Sequence, residues 1–308
     1  MQQINRALTI SVPGIPTLWL GLQGVLFCLA CTPIHASTID LPELIEIPPG
    51  IFIMGSDADE RELAYRLDES AYNSSVTREQ GWYEAELSRH PVMSESFCIT
   101  ATPITNRQYS SFIAATRYRA PYVDRKTWAS YKLIHPFEST QRFSWNRQNP
   151  PQGREEHPVV LVSIHDAQNY AAWLTKQTGQ HWRLSTEPEW EKAMRGTDGR
   201  IFPWGNEFGA ARLNSADSGP FDTTPVGQYI AGRSPFGVLD GAGQVYEWTS
   251  TVQGAGRNIV KGGSWDDKGC GVCRPAARHS RPDELKHILI GFRLARDISS
   301  DKSRPKCQ

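Results

Sequence analysis

Cys270 and Cys273 are the residues best placed to do chemistry. They form a Cys-x-x-Cys pair inside the glycine-bearing stretch Gly269-Cys270-Gly271-Val272-Cys273. Thiols at this spacing can close a small disulfide, act as a redox pair with a lowered thiol pKa, or offer two sulfurs to a soft metal. Arg274 next door favours a thiolate, and His279 is available as a third ligand. Two ligands are too few for a structural zinc. Cys98 lies in a strand pattern and reads as a buried small hydrophobe, whereas Cys307 lies in a polar tail. The chain has no phosphate-cradling glycine loop of the usual form, and no Ser/His/Asp order that marks a hydrolase.

The elements around these residues are short. Residues 45–55 read as two brief strands with a Pro-Gly turn between them. ERELAYRLDESAY suits a surface helix with Leu63 and Leu67 as an i, i+4 pair. Thr105 opens a helix whose inner face carries Tyr109, Phe112 and Ile113, and residues 117–157 read as long ordered loops. The run 157–162 reads as a buried strand, followed by an amphipathic helix ending at Gly179. Thr186 and Glu189 form a capping box with Pro188 in the first turn, placing Trp190 and Ala193 inward. Short strands follow at 258–261 and 290–294, and the tail 298–308 is polar and loose. No repeat or long linker divides the chain, so the expectation is a single irregular α+β domain over residues 45–297.

The composition narrows the function. The chain has 308 residues, with 33 Lys plus Arg against 33 Asp plus Glu, which excludes a nucleic-acid binder that relies on bulk positive charge. Ten Trp, ten Tyr and eleven Phe supply a core and argue against disorder. Residues 1–36 carry one charged side chain, Arg6, then an apolar stretch from Leu18 to Cys31. That stretch is shorter than the ~20 residues of a membrane span. It reads as a secretory signal cleaved after Ala36, with lipid modification at Cys31 as the alternative. The mature protein is therefore expected to be exported, periplasmic and without a membrane span.

Nine motifs, in order, carry a resemblance. They are IPPGIFIMGS (47–56), TPITNRQYSSF (102–112), HPVVLVSIHDAQNYAAWL (157–174), RLSTEPEWEKAMRG (183–196), FPWGNEF (202–208), DTTPVG (222–227), SPFGVLDGAGQVYEWT (234–249), KGGSW (261–265) and GFRLAR (291–296). On them the chain resembles the sulfatase-modifying-factor family, typified by the formylglycine-generating enzyme. The resemblance implies a loop-rich, C-type-lectin-like α+β domain. It also implies oxidation of a client cysteine by molecular oxygen, through two copper-binding cysteines five positions apart. Here the segment between the Gly-Gly-Ser and Ala-Ala-Arg motifs is two residues shorter, and Cys270 and Cys273 are three apart. Standard formylglycine synthesis is therefore not the leading expectation.

The resemblance implies further sites. Structural calcium in relatives maps onto Asn214 and Ser215 with Asp222 or Asp217 as the acid. A second calcium maps onto Asp240 and Glu247 side chains with the Gly243 and Val245 carbonyls, a set that suits ~6–8 oxygen ligands. Trp248, Trp265, Arg278 and His279 fall near the family's active-site motifs and are candidates to line a substrate groove. The leading expectation is an exported oxidoreductase-type maturation factor with Cys270 and Cys273 catalytic and copper as a possible cofactor. Its substrate would be a peptide, a cofactor or a siderophore-like molecule, as in the pyoverdine-maturing branch of the family. The alternatives are a non-catalytic ligand- or protein-binding module, and formylglycine synthesis with a shifted cysteine pair.

Overall fold

Two four-stranded sheets and a two-stranded antiparallel sheet, wrapped by short helices, organise the chain. The computed structural model describes residues 39–298 and Cys307. The expected signal segment 1–36, with Cys31, and most of the tail lie outside the described residues.

The first sheet has the order β1 (Leu44–Ile47), β4 (Phe97–Thr100), β10 (Leu294–Asp297), β5 (Trp182–Leu184), antiparallel throughout. Strand β2 (Gly50–Met54) pairs only with β3 (His90–Ser94). The two strands expected over 45–55 both form, yet they enter different sheets. Pro48 and Pro49 lack N–H donors and fix φ, so they turn the chain without closing a hairpin. The second large sheet runs β8 (His279–Pro282), β7 (Arg257–Lys261), β6 (Tyr246–Val252), β9 (Ile290–Phe292), with β6 and β9 parallel. The expected single strand 290–294 is split between the two sheets at Arg293, whose side chain turns inward onto Glu247.

Helix α1 (Ala58–Tyr72) is capped by Asp57, and α2 (Val76–Glu79) follows it. Helices α3 (Asn106–Thr116), α5 (Ile164–Thr178) and α6 (Glu187–Arg195) each start on the capping box their sequences announce. α5 ends on Gly179 at φ 68°. Tyr109, Phe112, Tyr170, Trp173 and Phe292 form one aromatic cluster between α3, α5 and β9. Trp190 and Ala193 pack inward as expected. The buried run 157–162 is not a strand. Leu161 takes φ 59°, which interrupts extension, and single bonds from Val159 to Ile104 and from Leu161 to His287 satisfy the backbone.

Two further expectations are met in part. The expected surface helix forms as α1 with Leu63 and Leu67 half-buried, but its inner face buries Glu60, Ala64, Tyr65 and Asp68 around a polar network. Within 117–157 a short helix, α4 (Arg125–Ser130), is capped by Asp124. In addition Cys307 is disulfide-bonded to Cys98, so the chain end is tied to β4 and Cys98 is a cross-link, not a free hydrophobe. Among the described residues no helix is long and apolar enough to cross a membrane.

Candidate functional site

A cavity of ≈ 410 Å³ opens at the edge of the second sheet, lined among others by Trp82, His135, Tyr246, Asp267, His279 and His287. Its geometry is set by local chemistry. After β7, Gly262 (φ 103°) and Gly263 (φ 71°) turn the chain sharply, and a Cβ on Gly263 would lie 2.5 Å from the Cys273 sulfur. Ser264 then donates its backbone N–H and its hydroxyl to the Asp267 carboxylate, each at 2.8 Å. The Tyr246 hydroxyl, at the start of β6, donates to the same carboxylate. Burial pushes the Asp267 carboxyl up to about 6, against the pull of those donors.

Helix α4 places two of the histidines. The Trp128 indole donates to the His135 carbonyl at 2.9 Å and stacks on the His287 ring at 5.4 Å. His135 Nε2 lies 3.1 Å from an Asp266 oxygen. His287 Nδ1 accepts from Leu289 N–H at 3.1 Å, which fixes its tautomer. His279 opens β8, with its ring edge-on to Trp82 at 6.1 Å and to Tyr246 at 6.0 Å. Burial drives the His279 and His287 imidazoles down to about 3, so both are neutral at physiological pH. The cavity therefore joins aromatic walls, neutral imidazoles and a carboxyl that titrates near neutrality, the equipment of general acid–base chemistry.

The cysteines stand behind this wall in a different role. Cys270 and Cys273 are bonded to each other and fully buried, so in this state they present no thiolate and do not fit copper. The expected catalytic pair is a closed cross-link here. Its loop is pinned from several sides. Gly269 N–H donates to Asp217 at 3.0 Å and Gly271 N–H to Asp68 at 3.0 Å, while Tyr83 donates to the other Asp68 oxygen. Arg274 reaches Glu86 at 2.6 Å and Glu60 at 3.1 Å. Glu60 also pairs with Arg195 at 2.5 Å, and a chain of buried charges continues through Glu191, Lys261 and Glu187.

Of the expected groove residues, only His279 lines the cavity. Trp248 is core, its indole donating to the Val162 carbonyl. Trp265 is buried between Phe143 and Phe221. Arg278 is held bidentately by Glu187 at 2.8 Å and points along the charge chain. The expected ligand sets are also rearranged. Glu247 gives both oxygens to Arg293 and one to the Trp190 indole, so Arg293 already supplies its counter-charge. Asp240 accepts from Gly227 N–H, and burial raises its carboxyl to about 6. Gly243 and Val245 are buried backbone beside them. The Asp222 carboxylate is taken by Arg154, while its backbone carbonyl accepts from the Asn214 amide at 2.8 Å. Asn214 Oδ1 alone keeps the character of a ligand: it is buried without a partner, beside Ser215. Among the described residues no group of three or more His, Cys, Asp or Glu could hold a metal ion.

Sequence reasoning missed His135, His287, Tyr246 and Trp82 as site residues. His135 sits in an aperiodic loop, and nothing local signals that Trp128 will bring it to His287. Tyr246 lies inside the VYEW stretch, two positions before Trp248, and no local signal in the sequence separates the two. Residues two apart in a strand share a face, and on that face Tyr246, at the start of β6, lines the cavity while Trp248 is core.

Comparison with known proteins fits this picture. Residues 32–298 match the family described as sulfatase-modifying factor enzyme 1-like domain. The chain is 28% identical to the inactive C-alpha-formylglycine-generating enzyme 2 of Mus musculus, over 96% of this chain and 95% of that protein. It is 30% identical to the formylglycine-generating enzyme of Streptomyces coelicolor, over 70% of this chain and 82% of that enzyme. Among solved structures, PvdO from Pseudomonas aeruginosa superposes with a TM-score of 0.63 at 24% identity, covering 84% of this chain and 95% of PvdO.

Proposed function

The chain belongs to the sulfatase-modifying factor family, and from that premise we propose that it is an exported oxidative maturation protein acting on a peptide or small-molecule substrate. In this reading the carboxylate of Asp267, not a thiolate, is the working group of the groove. The observation that carries it is the placement of Asp267 between Ser264 and Tyr246, in the wall of a cavity that neutral His279 also lines, with its carboxyl near 6. A base poised there accepts a proton from a bound substrate. The reaction balances if the substrate gives up two electrons and two protons to dioxygen, forming hydrogen peroxide, with one proton passing through Asp267. Export is supported by the two disulfides, which persist in oxidising compartments. A calcium ion on Asn214 and Ser215 is part of the proposal, supported by the unpartnered buried Oδ1.

A second reading is a non-catalytic binding module. The closed and buried cysteine pair favours it, as does the likeness to a relative named inactive over nearly its whole length. Aerobic incubation with a peptide pool, read by mass spectrometry, separates the readings. Products lighter by two hydrogens, with hydrogen peroxide released, support oxidation. Peptides retained unchanged support the binding module. A sulfatase-derived cysteine converted to an aldehyde restores formylglycine synthesis.

A further inference from the structure

The cavity over Asp267 is one half of a larger groove. A second cavity of ≈ 430 Å³ adjoins it, and the two share Leu133, Tyr246, Arg281, His287 and Leu289 in their walls. The second lobe adds Tyr131, Pro282, Leu285 and Ile290, where the first adds the titratable side chains His135, Asp266, Asp267 and His279 to walls that are otherwise also apolar. Each lobe alone has the size of a small-ligand pocket. At the outer rim of the first lobe Ile134 is 91% exposed.

Arg281 lies in the wall common to both lobes. Its guanidinium donates to the Ser280 carbonyl at 3.1 Å, and no carboxylate within ion-pair distance matches it among the described residues. Arg274, Arg278 and Arg293 are each committed to glutamates, which leaves Arg281 as the cation facing the groove without an anionic partner. A guanidinium in such a place takes a carboxylate, by a charge-assisted pair.

We propose that the groove recognises an α-carboxylate attached to an apolar side chain. The carboxylate pairs with Arg281, the side chain fills the apolar lobe beside Leu285 and Ile290, and the preceding amide reaches Asp267 in the first lobe. This rests on the reading that the groove is the working site. The apolar lobe and the cation share one wall, so the two ligand groups must leave the same atom or its neighbour. The terminal residue of a peptide meets that condition. An acidic side chain next to an apolar one does not, because successive side chains of an extended peptide point to opposite faces. The shared chemistry has two sources, a peptide C-terminus and a free N-acyl amino acid.

Calorimetry with the intact protein tests this, using the peptide Gly-Ala-Ala-Phe as free acid, the same peptide as C-terminal amide, and N-acetyl-phenylalanine. The free acid should bind at least about tenfold more tightly than the amide, the size of a lost charge-assisted hydrogen bond. R281Q should abolish that preference, and L285D should weaken acid and amide alike. N-acetyl-phenylalanine binding as well as the peptide assigns a small acyl amino acid; binding weaker by tenfold or more assigns a peptide terminus. Equal affinity for acid and amide overturns the carboxylate assignment, as does a preference that survives R281Q. If such binding is still lost in W82A, the groove reading stands and only this inference falls. If no peptide binds a folded protein, or W82A changes nothing, the groove reading falls with it.

Discussion

Asp267 sets the chemistry of the groove through a balance of opposing effects. Burial favours its neutral form, while Ser264 and Tyr246 stabilise the carboxylate, and the outcome is a carboxyl near 6. As a base it must be ionised, so turnover should rise with pH through about 6, and D267N should remove that rise together with most of the activity. His279 has the opposite leverage on stability. Its folded value lies near 3 and its unfolded value near 6.5, so between those limits the unfolded chain binds more protons. Its contribution is therefore present above the unfolded value and lost as pH falls toward 3. Denaturation curves for wild type and H279Q should separate progressively across that window, and parallel curves would refute the burial argument. At Asn214 the prediction concerns a metal: added calcium should raise the melting temperature of the wild type, and N214A should abolish the increase. These details were only partly legible in the sequence. The GGS turn and the acids after it, Asp266 and Asp267, are visible in the sequence, but what surrounds them is not. The value of Asp267 depends on Tyr246, twenty-one positions away.

At the scale of elements, α1 and the 83–89 segment hold the cysteine loop in place. Glu60 lies at the junction, receiving Arg195, Arg274 and Arg89. Breaking a buried ion pair by removing one partner costs about 3–5 kcal/mol, because the other charge stays buried. E60Q should therefore destabilise the protein by about that amount in urea titrations, far more than loss of an exposed pair such as Arg125 with Glu138. Gly269 is a second control point. It takes φ 66°, and a Cβ there would lie 2.5 Å from the Leu67 carbonyl of α1. The capped helices α3, α5 and α6 were legible because their start signals are local. The inner face of α1 was not, since polar residues such as Glu60 and Asp68 look like a solvated surface until Arg195, Arg274 and Tyr83 arrive from elsewhere. The pairing of β1 with β4 was equally out of reach, because strand partners are set by the whole sheet.

Over the whole molecule, the Cys98–Cys307 bond closes a loop spanning 209 positions. Removing a native disulfide typically costs about 2–5 kcal/mol, so C307S should lower the urea midpoint by a corresponding amount. The groove should be undisturbed, because Cys98 lies in the first sheet and the groove in the second. The family assignment was legible from nine ordered motifs, whereas Asp267, His135, His279 and His287 of the candidate site lie outside them. The most direct test of the central claim compares two variants in the peptide oxidation assay, D267N and C270S/C273S, each first shown to be folded. The account predicts that D267N loses turnover while the double cysteine variant keeps it at reduced stability. Loss of turnover in the cysteine variant, with D267N unaffected, would contradict it.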